Sequence, residues 1–118
     1  MTPPLRERII PLNSQGAFMN TMGLTPEMWS KLNEVYRRET PATLERMRYA
    51  CEQRDLSALA FDAHKLRSFS LLLGHAHMGL LAQRLEESSS GNDVSACLVL
   101  MEETLREATR ILAELGEN

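Results

Sequence analysis

Apolar residues recur every three or four positions from residue 26 almost to the end of the chain, and that spacing commits the sequence to amphipathic helices. Strands would need alternating patterns rich in β-branched and aromatic residues; aromatics make up only 5% of the chain and no segment alternates. The fold class is therefore all-α. A chain of 118 residues, 43% apolar and 25% charged, has the composition of one compact globular domain, with no room for a second.

The helix boundaries are written in capping residues. Thr25-Pro26-Glu27 combines an N-cap, a proline at the first helical position and an acid that suits the helix dipole. Met28, Trp29, Leu32, Val35 and Tyr36 follow as one stripe. Thr40-Pro41 repeats the signature, and Leu44, Met47 and Cys51 continue the stripe, so residues 26–53 form either two helices or one kinked at Pro41. Asp55 caps the next helix, whose inward face is Leu56, Leu59, Ala60, Ala63, Leu66, Ser70 and Leu73, interrupted by Gly74. A helix from about His75 turns Met78, Leu81, Ala82 and Leu85 inward; Ser88 to Asn92 read as a loop. Asp93 caps the last helix, with Val94, Cys97, Leu98, Met101, Leu105, Ala108, Leu112 and Leu115 inward and Gly116 near its end.

Short connections between long helices favour antiparallel neighbours, hence an antiparallel up-and-down four-helix bundle over residues 25–116. Residues 1–24 form an N-terminal arm, extended through three prolines, with a short helix from Ser14 to Met22 stopped by Gly23. The arm and the capped end at Gly116 suggest a free-standing protein, expected to be monomeric.

Lys plus Arg number 13 and Asp plus Glu 16, a net charge of −3, and the basic residues are scattered. A nucleic-acid partner would need a concentrated basic footprint. No apolar run is long enough to cross a bilayer or resembles a signal peptide, so the expected location is the cytoplasm, without a membrane partner.

One helix carries the candidate chemistry. At about 100° per residue, His64 lies about a quarter turn from the centre of the inward stripe, at the surface. Phe61, Ser68, Leu71 and Leu72 share its outward half, so apolar groups surround an imidazole on the solvent side, as at a protein docking site. Lys65 and Arg67 flank it; such cations favour a neutral imidazole and attract a phosphoryl group. A neutral imidazole can attack phosphorus and pass the group on. On these features alone a solvated surface histidine with basic neighbours is the better account, since one exposed histidine says little.

Residues 63–86, AHKLRSFSLLLGHAHMGLLAQRLE, resemble the motif of histidine phosphotransfer domains, the relay modules of two-component signalling. The Thr25-Pro26 start, the Glu39-Thr40-Pro41 break and the Arg54-Asp55 turn extend the resemblance over roughly residues 24–115. It implies that His64 is the phosphoacceptor, that Leu66, Leu73, Met78, Leu81 and Leu85 are core positions, that Gly74 closes the histidine helix and that Glu86 closes the motif. Arg67 stands where the family usually has a lysine beside the phosphoryl group. Ser68 stands where it often has glycine, and Phe69 where it usually has a small residue; the angle of Phe69 puts it at the far border of the core stripe, where it packs.

The resemblance further implies transfer between the receiver-domain aspartate of a hybrid sensor kinase and that of a response regulator. Arg67 and Lys65 would neutralise the phosphoryl oxygens; Phe61, Ser68, Leu71, Leu72 and Gly79 would line the docking face. No cofactor of its own is implied, since Mg²⁺ would come with the receiver, and no independent turnover. The alternative is a bundle that has lost the relay and works as an adaptor or kinase inhibitor through the Phe61/Leu72 patch.

Other constellations have plainer readings. His64, His75 and His77 could suggest a metal, but Gly74 separates the first from the others, residues two apart on a helix diverge, and no further ligand completes a set; His75 and His77 read as capping or surface residues. Cys51 and Cys97 fall on apolar stripes as buried free thiols. Met28, Met47, Met78 and Met101 read as core filler, and Glu102, Glu103, Glu107 and Glu114 with Arg106 and Arg110 as a solvated face laced by helical ion pairs. No nucleophile triad, phosphate-binding glycine loop or paired carboxylates point to an enzyme.

Overall fold

A computed structural model describes residues 23–116, so the arm and its short helix lie outside the described residues. Four helices follow one another: α1 (Pro26–Glu52), α2 (Leu56–Leu72), α3 (Ala76–Ser90) and α4 (Val94–Gly116), with no strand among the described residues. Each helix packs on the next and α1 packs on α4, closing the ring of a four-helix bundle.

Thr25 opens α1 by accepting the Met28 amide on Oγ1 at 3.1 Å, with Pro26 in the first turn. The helix then runs unbroken through Pro41, which settles the choice the sequence left open. Pro41 and Arg37 are both exposed, so water can reach the Arg37 carbonyl that the missing proline N–H leaves unpaired.

The three connections share one build. A residue in the left-handed region, Arg54 (φ 60°), Gly74 (φ 84°) or Asn92 (φ 59°), follows the helix, and the next residue sends its amide back five positions: Asp55 to Ala50, His75 to Ser70 and Asp93 to Ser88, at 2.8, 2.8 and 2.9 Å. That second residue is also the N-cap of the following helix, so each turn ends one helix and starts the next within three residues. Asp55 and Asp93 cap with their side chains, accepting from Ala58 and Ala96 at 3.2 and 3.0 Å. The expected loop over Ser88–Asn92 is mostly helix: α3 continues through Ser90, and Asn92 rather than Gly91 takes the left-handed conformation.

Tyr36, Met47, Leu59, Leu73, Met78, Leu81, Leu85 and Cys97 are essentially inaccessible, and both cysteines are buried free thiols. Burial pushes the Cys51 thiol above its ordinary pKa, with nearby Cys97 adding to the effect. Two residues assigned to the core are not in it: Met28 and Leu98 are each 46% exposed. On α4 the buried positions are Cys97, Met101, Thr104, Ala108 and Ile111, an alternating four-three spacing that makes a narrower seam than the stripe expected. Leu98 falls just off that seam, while Leu105, Leu112 and Leu115 line its edge half-buried.

One end of the core is polar. Tyr36 and Ser70 share a hydrogen bond of 2.8 Å, the Tyr36 ring meets Phe69 edge-on and lies against His75, and His75 Nε2 donates to Asn33 Oδ1 at 3.0 Å. Asn33 donates its amide N–H to the Trp29 carbonyl, and the Trp29 indole donates to the Leu73 carbonyl at 3.3 Å. This chain ties α1 to the turn between α2 and α3. His75 is therefore not a surface residue: it holds the N-cap position without capping, because its ring turns inward and is 7% exposed. His77 is exposed. Glu107, expected on the solvated face, has a side chain only 10% exposed and pairs with Arg110.

Candidate functional site: an imidazole on the outer stripe of α2

The register of the α2–α3 hairpin builds the site. Residues equally far from the turn lie at the same height in an antiparallel pair, and His75 is the midpoint: His64 lies 11 positions before it and Glu86 11 after, about 16 Å along the helices. His64 Nδ1 lies 3.0 Å from Glu86 Oε2. Leu71 and Gly79 are a second pair, four positions either side. A Cβ on Gly79 would come within 2.8 Å of Leu71 Cγ, so the bare backbone of α3 is what lets Leu71 lie down.

Around His64, the outward positions of α2 form one stripe of i, i+3 and i+4 steps: Phe61, His64, Ser68 and Leu71. The His64 side chain is 54% exposed; Phe61 is 66% and Leu71 44% exposed. Ser68 is also exposed and Leu72 is half-buried at the border. Gly79, expected on this face, is buried beneath Leu71 and shapes the surface only through it.

Arg67 reaches the imidazole: its Nη2 is 3.1 Å from His64 Nδ1 and its Nε 3.7 Å from Glu86 Oε1. Lys65 turns elsewhere, its ammonium 5.3 Å above the Phe61 ring, on the flank of α2 that faces an open groove of about 330 Å³ against α1. Of the two flanking cations, then, Arg67 is brought to the histidine. Glu86, named by the motif but given no role, completes the cluster, and its Oε1 is buried without a hydrogen-bond partner. The hairpin symmetry about His75 is the sequence signal that would have found it. A second acid was missed on the buried side of α2: Asp62, 7% exposed, accepts from Arg46 of α1 through both carboxylate oxygens at 3.3 Å.

Among the described residues no group of three His, Cys, Asp or Glu side chains is disposed to hold a metal, and His64 and His75 point to different neighbours, Glu86 on α3 and Asn33 on α1. No described helix is long and apolar enough to cross a membrane.

Residues 31–117 match the family model of the Hpt domain, from the second turn of α1 onward. The chain belongs to the Hpt domain family. No curated protein and no solved structure matches it. Hpt domains perform histidine phosphotransfer in phosphorelays, as phosphocarriers rather than catalysts, and interact with receiver domains of kinases and response regulators. In this Hpt domain the histidine of the motif stands on the accessible stripe, while Tyr36, Ser70 and His75 are occupied inside the bundle.

Proposed function

We propose that His64 accepts a phosphoryl group from the aspartate of a receiver domain and passes it to the aspartate of a second receiver. The observation that carries this reading is an accessible imidazole, with a guanidinium 3.1 Å away, set in an exposed stripe whose other members are Phe61, Ser68 and Leu71. The imidazole supplies the nucleophile. Arg67 supplies positive charge for the phosphoryl oxygens, and Phe61, Leu71 and Leu72 supply apolar area for docking. Ser68, one turn after His64, adds only a small side chain between the imidazole and the incoming partner.

The acidic pocket and Mg²⁺ that organise in-line transfer belong, on this reading, to the receiver, so the domain turns nothing over alone. Lys65, held over Phe61, contributes to the rim and to the field that draws in an acidic partner rather than to the phosphoryl group itself. The test is to incubate the protein with a phosphorylated receiver domain and look for acid-labile, alkali-stable label, with His64→Gln as control. Label on the wild type and none on the variant is expected. Label retained by His64→Gln would overturn the assignment; stable receiver binding without label would favour the adaptor reading.

A further inference from the structure

A groove runs beside the stripe of His64, on the flank of α2 that faces α1. The bonds from Arg46 to Asp62 set the register there: both residues lie eight positions from Arg54, so residues equally far from that turn share a height. Ala42 then stands level with Leu66, Thr43 with Lys65 and Glu39 with Phe69. A methyl group opposite a leucine does not fill the space between two helices, and an open cavity of about 330 Å³ remains.

The lining divides by polarity. Ala42, Leu66 and Phe69 form its apolar part, and Arg38, Arg46 and Lys65 stand around them against one acid, Glu39. A chain with more acids than bases thus gathers three cations about one groove. Arg46 is oriented by Asp62 through Nε and Nη2, which leaves its Nη1 without a bond among the described residues, and its side chain is 54% exposed. Arg38 is exposed and makes no ion pair among the described residues, since Glu34 one turn before it pairs with Arg37. Thr40 also lines the groove; it is only 4% exposed, yet its hydroxyl has no hydrogen-bond partner among the described residues. A hydroxyl free to donate and two guanidiniums with open N–H groups make a receptor for carboxylates.

We infer that this groove takes an acidic segment of the receiver, with one apolar side chain set between two carboxylates, and so selects among receivers that all share the phosphorylatable aspartate. Arg38 and Arg46 are eight residues apart on α1, about 12 Å along its axis. An extended segment spans that distance in about four residues, with the acids and the residue midway between them on one side. The middle side chain then lies against Leu66 and Phe69. Lys65 joins the groove to the outer stripe: it lines the one while its ammonium rests over Phe61 of the other. Phe69, in place of the small residue usual in the family, supplies an aromatic wall braced edge-on by Tyr36. The inference rests on the phosphotransfer reading and adds which receiver the domain accepts.

Two measurements test it, one of them without any receiver. In ¹H–¹⁵N spectra, a capped pentapeptide with glutamates at both ends, a central leucine and serines between should shift the amides of Thr40, Ala42, Leu66 and Phe69. The same peptide with lysines at its ends should not. Ala42→Phe, at an exposed position, fills the groove without entering the core and should abolish the shifts. With a receiver that labels His64, Arg38→Glu and Ala42→Phe should each raise Kd about tenfold. Arg106→Glu, the same charge reversal at an exposed site on α4, should change it by less than about twofold. Urea midpoints of the three variants show that each has kept the fold.

No shift in the groove at about 10 mM acidic peptide, equal shifts from the lysine peptide, a receiver affinity unmoved by Arg38→Glu and Ala42→Phe, or an Arg106→Glu loss as large as that of Arg38→Glu would each overturn the inference. Failure of receivers to label His64 would sink the phosphorelay reading, while the groove's taste for acidic segments would stand or fall by the peptide titration alone.

Discussion

Lowering the pH from 7.5 to 5 will cost this fold about 2 kcal/mol through one side chain, His75. Burial, with Arg110 adding to it and Glu107 opposing it, pushes the His75 imidazole down to about 4 from an ordinary 6.5. The folded state thus favours the neutral ring, and the unfolded chain binds the proton more readily. Stability from this group is complete above about 6.5 and is lost as the pH falls from there toward 4. At about 1.4 kcal/mol per pH unit, the gap of 6.5 − 4 = 2.5 sets a ceiling of about 3.5 kcal/mol, of which about 2 is reached at pH 5.

Urea denaturation at the two pH values measures it: with a slope of about 2 kcal/mol per molar, the wild-type midpoint should fall by about 1 M. In His75→Gln, whose amide can still reach Asn33, most of that fall should disappear, while exposed His77→Gln should behave as wild type. Glu34 and Glu45 do not mimic the effect, because the guanidiniums of Arg37 and Arg48 hold their carboxyls below the ordinary range. A His75→Gln protein as acid-sensitive as the wild type would refute the reasoning, since the buried ring would then not be the group that takes up the proton.

Two further substitutions separate packing from docking. Gly79→Ala should destabilise by about 1–3 kcal/mol in urea denaturation despite the better helix propensity of alanine, because the added Cβ overlaps Leu71; a more stable variant would mean that Leu71 relocates freely. Phe61→Ala removes a ring that is 66% exposed, so it should change stability by less than about 0.5 kcal/mol yet weaken receiver binding by at least about tenfold in calorimetry; unchanged affinity would place the docking surface elsewhere.

The frame was legible because it is local. Thr25, Asp55 and Asp93 each cap as their positions suggest, Gly74 ends the histidine helix, and Phe69 packs against Tyr36. What escaped depends on contacts across helices. Ser70 fits an inward stripe, but nothing near it announces that Tyr36, 34 residues earlier, supplies its hydroxyl partner. His75, at a turn between two helices, reads as a capping residue until Asn33 is seen to receive its N–H. Leu98 and Met28 were drawn into stripes by their hydrophobicity, whereas the seam on α4 is narrow enough to seat Thr104, with its hydroxyl donated to the Leu100 carbonyl, in preference to a leucine one position off.

The polar end of the core and the imidazole on the outer stripe of α2 are parts of one construction. Glu86 meets His64 because both lie 11 residues from His75, and His75 is fixed from two sides: its amide is bonded back to Ser70 across a left-handed Gly74, and its ring is held by Asn33 and Tyr36 of α1. One residue more or fewer in that turn would rotate α3 by about 100° relative to α2. Leu85 or Glu87 would then face the imidazole: the first would lose its place in the core, and the second would come from a position that is now exposed rather than partly buried. The left-handed residue that looks like simple helix punctuation is thus also what places the carboxylate opposite His64.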